Sequence, residues 1–332
     1  MKPPPHMLGS AQVAISNSSK NPIGVHAEKT KSTGGIKDPR LLASGSGDKT
    51  VRIWDLATGR CISMLEGHTD SVISVAWSYD TTRLASGSGD KTVRIWDPPT
   101  GQYVSTLKGH TGSVQSVAWS HDTTRLASGS EDETVRIWDL ATGQYVSTLK
   151  GHTSSVQSVA WSYDTTRLAS GSGDKTVRIW DPATGQCIST LEGHTRSVRL
   201  VAWSHDTTRL ASGSGDETVR IWDLATGQCT SMLKGHIGSV WSVAWSYDTT
   251  RLVSGSSDKT VRIWDPATGQ CISTLQGHTS WVWSVAWSYD TTRLASGSDD
   301  KTVRIWDPAT GQCISTLKGH TGSVYSVAWS YP

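Results

Sequence analysis

The residues of this chain that could do chemistry are a histidine, a serine and an aspartate that recur together. In the first complete set, His68 is followed by Ser86 and Asp90, and Trp96 comes six residues after the aspartate. Histidine, serine and aspartate are the residue types of a hydrolase triad, in which the histidine activates the serine and the aspartate orients the histidine. The set occurs seven times at a period of 42 residues. The remaining sets are His110, Ser128, Asp132 and Trp138; His152, Ser170, Asp174 and Trp180; His194, Ser212, Asp216 and Trp222; His236, Ser254, Asp258 and Trp264; His278, Ser296, Asp300 and Trp306; and His320, Ser44, Asp48 and Trp54.

This recurrence argues against catalysis. A serine nucleophile needs a base, an oxyanion hole and a pocket that holds the substrate. Seven in-register copies without a single insertion provide no segment from which a pocket could be built. We therefore predict no catalytic residue and no enzymatic activity.

Motifs for cofactors and metals are not found in the sequence either. The stretch 87–92 reads GSGDKT, where a phosphate-binding loop needs Gly-Lys in place of Asp-Lys. The five cysteines occupy the same position of different repeats, so their thiols do not converge on a metal or a disulfide framework. These cysteines are Cys61, Cys187, Cys229, Cys271 and Cys313. We predict no cofactor, no metal site and free thiols in a reducing compartment, the cytosol or the nucleus.

The repeat itself predicts the fold. The dipeptides Gly-His and Trp-Asp each recur seven times at a period of 42 residues, and seven periods fill residues 39–332. Each repeat contains four short strand-like segments bounded by polar turns, for example 113–120, 124–130, 134–139 and 144–149. A four-stranded sheet cannot bury both of its faces alone, so neighbouring sheets must pack on one another around a ring, large side chains against small ones.

The unit from Gly-His to Trp-Asp resembles the WD40 repeat, and the resemblance covers residues 39–332. It implies an all-β, seven-bladed propeller with four-stranded antiparallel blades. It also implies that each His, Ser, Asp and Trp set is a structural tetrad that links two strands and two loops, rather than an active site. The near identity of the copies, with wording such as GHTGSV, LASGSGDKTVRIWD and PATGQC, is most similar to the arrays of fungal NACHT-WD receptors of the heterokaryon-incompatibility type.

The two ends of the repeat array predict how the ring closes. The first blade begins at strand B, residues 41–46, and the chain stops after a seventh strand A, residues 323–330. Familiar WD40 propellers complete the last blade with an N-terminal outer strand, and this chain departs from that pattern. We predict that the C-terminal strand A pairs with the N-terminal strands B, C and D, because closure removes an open sheet edge.

Residues 1–38 lack the repeat and are rich in Pro, Ser, Lys and Gly, which is typical of a disordered leader. They carry a net charge of +3, so the propeller region sums to −1 within a total of +2. A near-neutral body does not suit nucleic-acid binding, and no apolar run approaches the roughly 18 residues that a membrane helix needs. We expect a monomer that binds no nucleic acid, does not insert into membranes and takes no small-molecule substrate.

The positions at which the copies differ predict a binding surface. They lie in the connection from strand D to strand A and in the turn from strand B to strand C, and both emerge on one face of a propeller, the top. Exposed Trp, Tyr and Arg side by side are the composition of an interface hot spot. The predicted binding residues are Trp241, Trp281, Trp283, Tyr325, Arg196, Arg199, Ile73, Gln115 and Gln157, with Glu131 and Glu133 as an acidic counterpart on the same face. The alternative is that the rings fill the channel mouth as packing and that the glutamates form a solvated turn.

These observations predict a non-enzymatic scaffold that binds a protein or peptide on its top face. The resemblance to NACHT-WD receptors implies a sensor of a non-self or stress ligand, although the nucleotide-binding domain of those receptors has no counterpart in this sequence. One alternative is a constitutive adapter subunit of a multiprotein complex, of the type found in fungal mitochondrial fission. Another, from a different class, is an enzyme that uses the propeller channel, which would need a non-repeated polar or metal constellation there.

Overall fold

The computed structural model describes residues 41–332, which form seven four-stranded antiparallel sheets. The predicted all-β, seven-bladed propeller is confirmed. Every regular element of the described residues is a strand, and none of them is a helix that could cross a membrane. The predicted leader, residues 1–38, lies outside the described residues.

Each blade is built from strands A to D, with A innermost and D at the rim. The A strands are β4 (Val72–Trp77), β8 (Val114–Trp119), β12 (Val156–Trp161), β16 (Val198–Trp203), β20 (Val240–Trp245), β24 (Val282–Trp287) and β28 (Val324–Trp329). The B strands are β1 (Leu41–Ser46), β5 (Leu84–Ser88), β9 (Arg125–Ser130), β13 (Leu168–Ser172), β17 (Arg209–Ser214), β21 (Leu252–Ser256) and β25 (Leu294–Ser298). The C strands are β2 (Val51–Asp55), β6 (Thr92–Asp97), β10 (Val135–Asp139), β14 (Val177–Trp180), β18 (Val219–Asp223), β22 (Val261–Trp264) and β26 (Thr302–Trp306). The D strands are β3 (Arg60–Leu65), β7 (Gln102–Lys108), β11 (Gln144–Leu149), β15 (Cys187–Leu191), β19 (Cys229–Leu233), β23 (Cys271–Leu275) and β27 (Cys313–Lys318).

The core consists of seven apolar clusters, and each lies between two adjacent blades. In one cluster, Ala85 and Ile95 of one blade pack with Val114 and Trp119 of the next. The predicted packing of large against small residues is confirmed at Gly87, where a Cβ atom would lie 2.7 Å from Cγ1 of Val114. Both faces of a blade are therefore buried only because it has a neighbour on each side.

The ring closes as predicted, with β28 as the innermost strand of the first blade. The strand order of that sheet is β28-β1-β2-β3, and β28 runs antiparallel to β1. His320, just before β28, also lies with its Nε2 atom 2.7 Å from Ser44 Oγ and its Nδ1 atom 2.8 Å from Asp48 Oδ2. Strand pairing and a side-chain network thus join the two ends of the repeat array.

Every A strand contains a β-bulge near its start. In β4, Val72 lies opposite Ser88 and Ser74 lies opposite Gly87, so Ile73 between them has no partner on β5. The same one-residue shift occurs in all seven blades. An extra residue of this kind re-aims the side chain that it carries. In each blade the unpaired residue lines the top mouth of the central channel.

Candidate binding site at the channel mouth

The seven bulge residues meet around one cavity of about 420 Å³. They comprise five residue types, whereas valine precedes each of them in all seven blades. The bulge residues are Ile73, Gln115, Gln157, Arg199, Trp241, Trp283 and Tyr325. The remaining lining consists of strand A and loop residues, mostly serines, with Leu200 in one blade. All seven bulge residues belong to the predicted binding set, and the structure brings them to a single concave surface.

One half of the mouth is aromatic. The ring centroids of Trp241 and Trp283 are 4.3 Å apart, and those of Trp283 and Tyr325 are 5.4 Å apart. Trp281 at the rim stacks on Trp241 with an interplanar angle of 19° and keeps 44% of its surface exposed. Contacts of this kind stabilise ring orientation by about 0.5–1.5 kcal/mol each. The rings therefore pack against one another, and those of Trp241, Trp283 and Tyr325 also border the cavity, so their packing is compatible with the predicted binding role.

Arg199 lies where the aromatic half meets the polar half. Its Cζ atom is 4.3 Å from the Trp241 ring centroid, which is a cation–π contact, and its Nη1 atom is 3.4 Å from Oε1 of Gln157. Burial lowers the pKa of Arg199 from its usual value, without removing its charge at neutral pH. The mouth therefore presents a fixed cation between an indole face and an amide.

Two further residues of this region were missed in the sequence. Leu200 stands where the other six blades have serine, and Ile237 stands where the other six have threonine after Gly-His. Leu200 lines the cavity, and Ile237 is 84% exposed on the top face. The signal was available, because each is the single exception at an otherwise constant position of the repeat. Both exceptions are apolar and lie in the blades that carry Arg199 and Trp241.

The other predicted binding residues lie outside the cavity. Arg196 is exposed, and its carbonyl oxygen accepts a hydrogen bond from Ser214 Oγ at 3.1 Å. Glu131 accepts hydrogen bonds from Ser113 Oγ at 2.8 Å and from Gln115 Nε2 at 3.0 Å, so it touches a mouth residue from the side. Glu133 is exposed in the B–C turn. The acidic residues thus form a rim feature rather than part of the mouth.

Each of the seven His, Ser, Asp and Trp sets forms a continuous chain of hydrogen bonds that runs from Trp through Ser and His to Asp. In the set of His68, the Trp96 indole N–H donates to Ser86 Oγ at 2.7 Å, and Ser86 Oγ lies 2.7 Å from His68 Nε2. His68 Nδ1 lies 2.7 Å from Asp90 Oδ2. Because an ionised carboxylate only accepts, Nδ1 carries the proton, and the serine hydroxyl donates to Nε2. Ser86 is fully buried, so its hydroxyl is a structural link that has no access to a substrate.

In the tetrads of His68, His110, His152 and His320, burial and hydrogen bonding set the protonation of the histidine. Burial lowers the pKa of His68 and outweighs the Asp90 carboxylate, which acts to raise it. The same direction and leading cause hold for His110, His152 and His320. For Asp132, burial alone would raise the pKa, but hydrogen bonds from Thr134, Thr111 and His110 together hold it at about 2. The folded state therefore favours a neutral imidazole beside an ionised carboxylate.

A circle of seven aromatic side chains, which the sequence did not lead us to predict, lies at the opposite end of the channel. It is formed by the residue that follows Ala-Trp-Ser in each repeat, and six of the seven neighbouring pairs are 3.6–4.9 Å apart between centroids. The members of this lower ring are Tyr79, His121, Tyr163, His205, Tyr247, Tyr289 and Tyr331. The interpretation that the differences between repeats map to the top face alone was therefore wrong, because the exchange of tyrosine for histidine lies at the other end of strand A. A second channel cavity of about 310 Å³ is lined by most of this ring together with alanines, valines and tryptophans of strand A.

We expect the free energy of unfolding to fall as the pH is lowered from about 7.5 to about 5. A histidine with a lower pKa in the folded than in the unfolded chain stabilises the fold in its neutral form. This contribution is complete above the ordinary pKa of 6.5 and is lost as the pH falls below it. Aspartates such as Asp48, whose pKa is about 2, act in the same direction from about pH 4 downward. Urea unfolding at a series of pH values measures the change, and a constant stability between about pH 7.5 and 5 would contradict it.

The histidines of the lower ring also contribute to the pH dependence of stability, and a double variant measures their contribution separately from that of the tetrads. Burial lowers the pKa of His205 to about 4 and also lowers that of His121, so both stabilise the fold when neutral. The double variant His121→Tyr, His205→Tyr places in these blades the residue that the other five have. It should show a shallower loss of stability between about pH 6.5 and 4, with the tetrad contribution retained. An identical pH profile would show that the pKa values of His121 and His205 are the same in the folded and the unfolded chain.

Comparison with known proteins agrees with this geometry. A family model described as the first β-propeller domain of WDR3 matches residues 100–265 and 147–307, and the WD domain, G-beta repeat model matches residues 35–55, 59–97 and 311–332. The first model alone spans more than half of the chain. The chain belongs to the WD40-repeat family. WD40 propellers are in general scaffolds without catalytic activity that bind proteins or peptides.

Individual relatives of this WD40 propeller match over about one repeat. An uncharacterised WD repeat-containing protein of Schizosaccharomyces pombe is 50% identical over 40 residues, 12% of this chain and 10% of that protein. Coronin-7 of Mus musculus is 58% identical over 40 residues, 12% of this chain and 4% of its own length. A ribosome biogenesis protein BOP1 homolog of Drosophila virilis is 46% identical over 52 residues, 16% of this chain and 6% of that protein. The chain thus matches a tenth or less of the length of each of these relatives.

Proposed function

We propose that this WD40 propeller is a non-enzymatic recognition module that binds a protein or peptide at the top mouth of its channel. One observation carries the proposal: the single position that differs most in chemistry between repeats is also the bulge position that faces the 420 Å³ cavity in every blade. Packing demands are the same in all seven blades and would favour one residue type. Five residue types among seven positions at one mouth instead suit an asymmetric ligand.

The composition of the mouth supports a ligand with an apolar part. Trp, Tyr and Arg are the residue types that dominate binding energy at protein interfaces. Here Trp241, Trp283, Tyr325 and Arg199 are contiguous, and Trp281 and Ile237 extend the apolar surface onto the rim. An exposed side chain such as Ile237, with 84% of its surface accessible, adds apolar area that a bound partner would cover.

The variant Trp241→Gln, Trp283→Gln, Tyr325→Gln should lose partners that bind this mouth. Glutamine occupies the same bulge position at Gln115 and Gln157, so the substitutions suit the fold. Replacing three hot-spot side chains that each contribute about 1–2 kcal/mol is expected to weaken binding by at least a hundredfold. The measurement is affinity capture from the source organism with cross-linking and mass spectrometry, which locates each partner on the propeller surface.

The matched control changes the outer rim instead. Ile188→Thr, Ile272→Thr introduces on two D strands the residue that a third carries as Thr230, and both isoleucines are more than half exposed. This variant should keep every partner that cross-links to the mouth. If the mouth variant keeps its partners and the rim variant loses them, the binding surface lies on the D strands and the proposal is wrong.

A second candidate is a constitutive adapter subunit of a larger assembly. It is favoured by the match to a protein whose name states ribosome biogenesis, over 52 residues. Sensing of a non-self or stress ligand, as in fungal NACHT-WD receptors, is supported by the wording of the repeats alone. An adapter would co-purify with the same partners under all growth conditions, whereas a sensor would gain a partner only when its ligand is supplied. We further propose a monomer located in the cytosol or nucleus, where the five thiols stay reduced.

A further inference from the structure

Among residues 41–332, the lining of the cavity at the channel mouth contains one cation and no anion. That cation is Arg199, and the other described lining residues are uncharged at neutral pH. Within residues 41–332, the arginines that form ion pairs are Arg83 with Asp97 and Arg209 with Asp206, both away from the mouth. The rim carboxylate of Glu131 accepts hydrogen bonds from Ser113 and Gln115 and is not part of the cavity lining. No carboxylate within residues 41–332 therefore forms an ion pair with this cation.

The guanidinium of Arg199 is held in place without using up its donors. It lies over the Trp241 ring at 4.3 Å, and a face-on contact leaves the N–H groups in the guanidinium plane available. Its one hydrogen bond, to Gln157 Oε1, is long at 3.4 Å, and its Nε atom is buried without an acceptor among the described residues. A planar fork of donors that is fixed in this way matches the two oxygens of a carboxylate.

Other features of the mouth also favour an acceptor on the ligand. Leu200 replaces the serine of the other blades beside Arg199, which removes a hydroxyl and makes the wall apolar. An apolar wall lowers the local dielectric constant and strengthens the attraction between a guanidinium and an anion. Among the described residues, the one cation of the mouth thus lies on the side that is also the most apolar.

We propose that the mouth of this propeller binds a carboxylate group presented next to an apolar side chain, with Arg199 as the carboxylate receptor and Trp241 and Trp283 as the apolar wall. The proposal rests on the proposed function and names the chemistry of the ligand. A singly charged carboxylate suits one guanidinium, whereas phosphate is typically bound by clusters of cations. The carboxylate can belong to an aspartate or glutamate side chain or to the C-terminus of a partner, and the experiment below distinguishes the two.

The test titrates small probes into the whole chain and follows the NMR signals of the indole N–H groups; two of the probes, the acid and the amide of N-acetyl-leucine, differ only in the carboxylate. N-acetyl-leucinate carries a terminal carboxylate, N-acetyl-glutamyl amide carries a side-chain carboxylate, and N-acetyl-leucinamide carries none; inorganic phosphate is the fourth probe. The variants Trp241→Phe and Trp283→Phe assign the two mouth signals. We expect at least one carboxylate probe to shift both signals saturably, at a concentration at least tenfold lower than leucinamide requires. The tighter of the two carboxylates identifies the source.

Arg199→Gln is the decisive variant, because glutamine occupies the same position in two other blades and the fold accepts it. It should raise the dissociation constant of the carboxylate probe at least tenfold and leave that of leucinamide unchanged. Equal binding of acid and amide, tighter binding of phosphate, no shift of the mouth signals or an unaltered Arg199→Gln variant would each overturn the proposal. If that happens while the triple glutamine variant still loses its cross-linked partners, the mouth remains a binding site of different chemistry. If the carboxylate result fails and the triple glutamine variant also keeps its partners, the proposed function is contradicted as well.

Discussion

Deletion of residues 321–332 is expected to abolish cooperative unfolding of the propeller at ordinary temperature. The deletion removes β28, in which Val324, Val327 and Trp329 are buried. At about 1.5–3 kcal/mol for each of the three apolar side chains, this burial contributes roughly 5–9 kcal/mol. A domain is stable by only about 5–15 kcal/mol in total, so the loss is comparable with the whole free energy of unfolding. The measurement is urea or thermal unfolding followed by tryptophan fluorescence and circular dichroism.

Strand complementation provides the control for this prediction. A synthetic peptide of residues 321–332 added to the truncated chain should restore the transition, because it can pair with β1 in the register that joins Ala43 to Ala328. The same peptide with Val327→Asp should fail, since it would place a carboxylate in a core cluster between two blades. A truncated chain that unfolds with the original midpoint and cooperativity would show that closure by β28 contributes little.

Loss of a single tetrad serine is also expected to cause a large decrease in the free energy of unfolding. Ser86→Ala is expected to lower the free energy of unfolding by about 2–6 kcal/mol, because it leaves two buried groups, the Trp96 indole N–H and His68 Nε2, without a partner, at about 1–3 kcal/mol each. Both groups have Ser86 Oγ as their partner at 2.7 Å. Urea unfolding with a common m-value gives the difference.

The serine of the same blade that makes no comparable contact is the control. Ser105 lies half-buried on β7, and Ser105→Ala should change stability by no more than about 0.5 kcal/mol. Equal effects of the two substitutions would mean that the tetrad is not a source of stability beyond ordinary burial. A selective loss in Ser86→Ala would instead tie the seven repeated sets to folding rather than to chemistry.

Much of this fold was predictable because the repeat is strict. Four strand-like segments and two invariant dipeptides recur without insertion, so one repeat specifies a blade and seven specify the ring. The ends of the array fall between strands A and B, and this offset predicted the pairing of β28 with β1 that the structure contains. Because the seven repeats have nearly the same sequence, the structure predicted for one blade applies to all the others.

The site was only partly predictable, and the reason lies in the bulge. A straight strand alternates its side chains, so Val114 and Val117, three residues apart, would face opposite sides of the sheet. Both contact Gly87 of the preceding blade, because the extra residue Gln115 restores the phase of the strand. Nothing in a single repeat marks that extra residue as turned toward the channel. The sequence identifies these positions because the repeats differ there. It does not show that the bulge brings them together at one cavity.

The sequence by itself determined the architecture, the closure of the ring and the identity of the variable residues. Only the tertiary structure decided which of those residues meet, placing Arg199 on Trp241 and leaving Arg196 and Glu133 on the rim. It also assembled the lower ring, whose tyrosines and histidines are 42 residues apart in sequence and touch across neighbouring blades. The physical reason is that a repeat specifies contacts within a blade and with its neighbours, whereas the chemistry of the mouth depends on several blades converging on one axis.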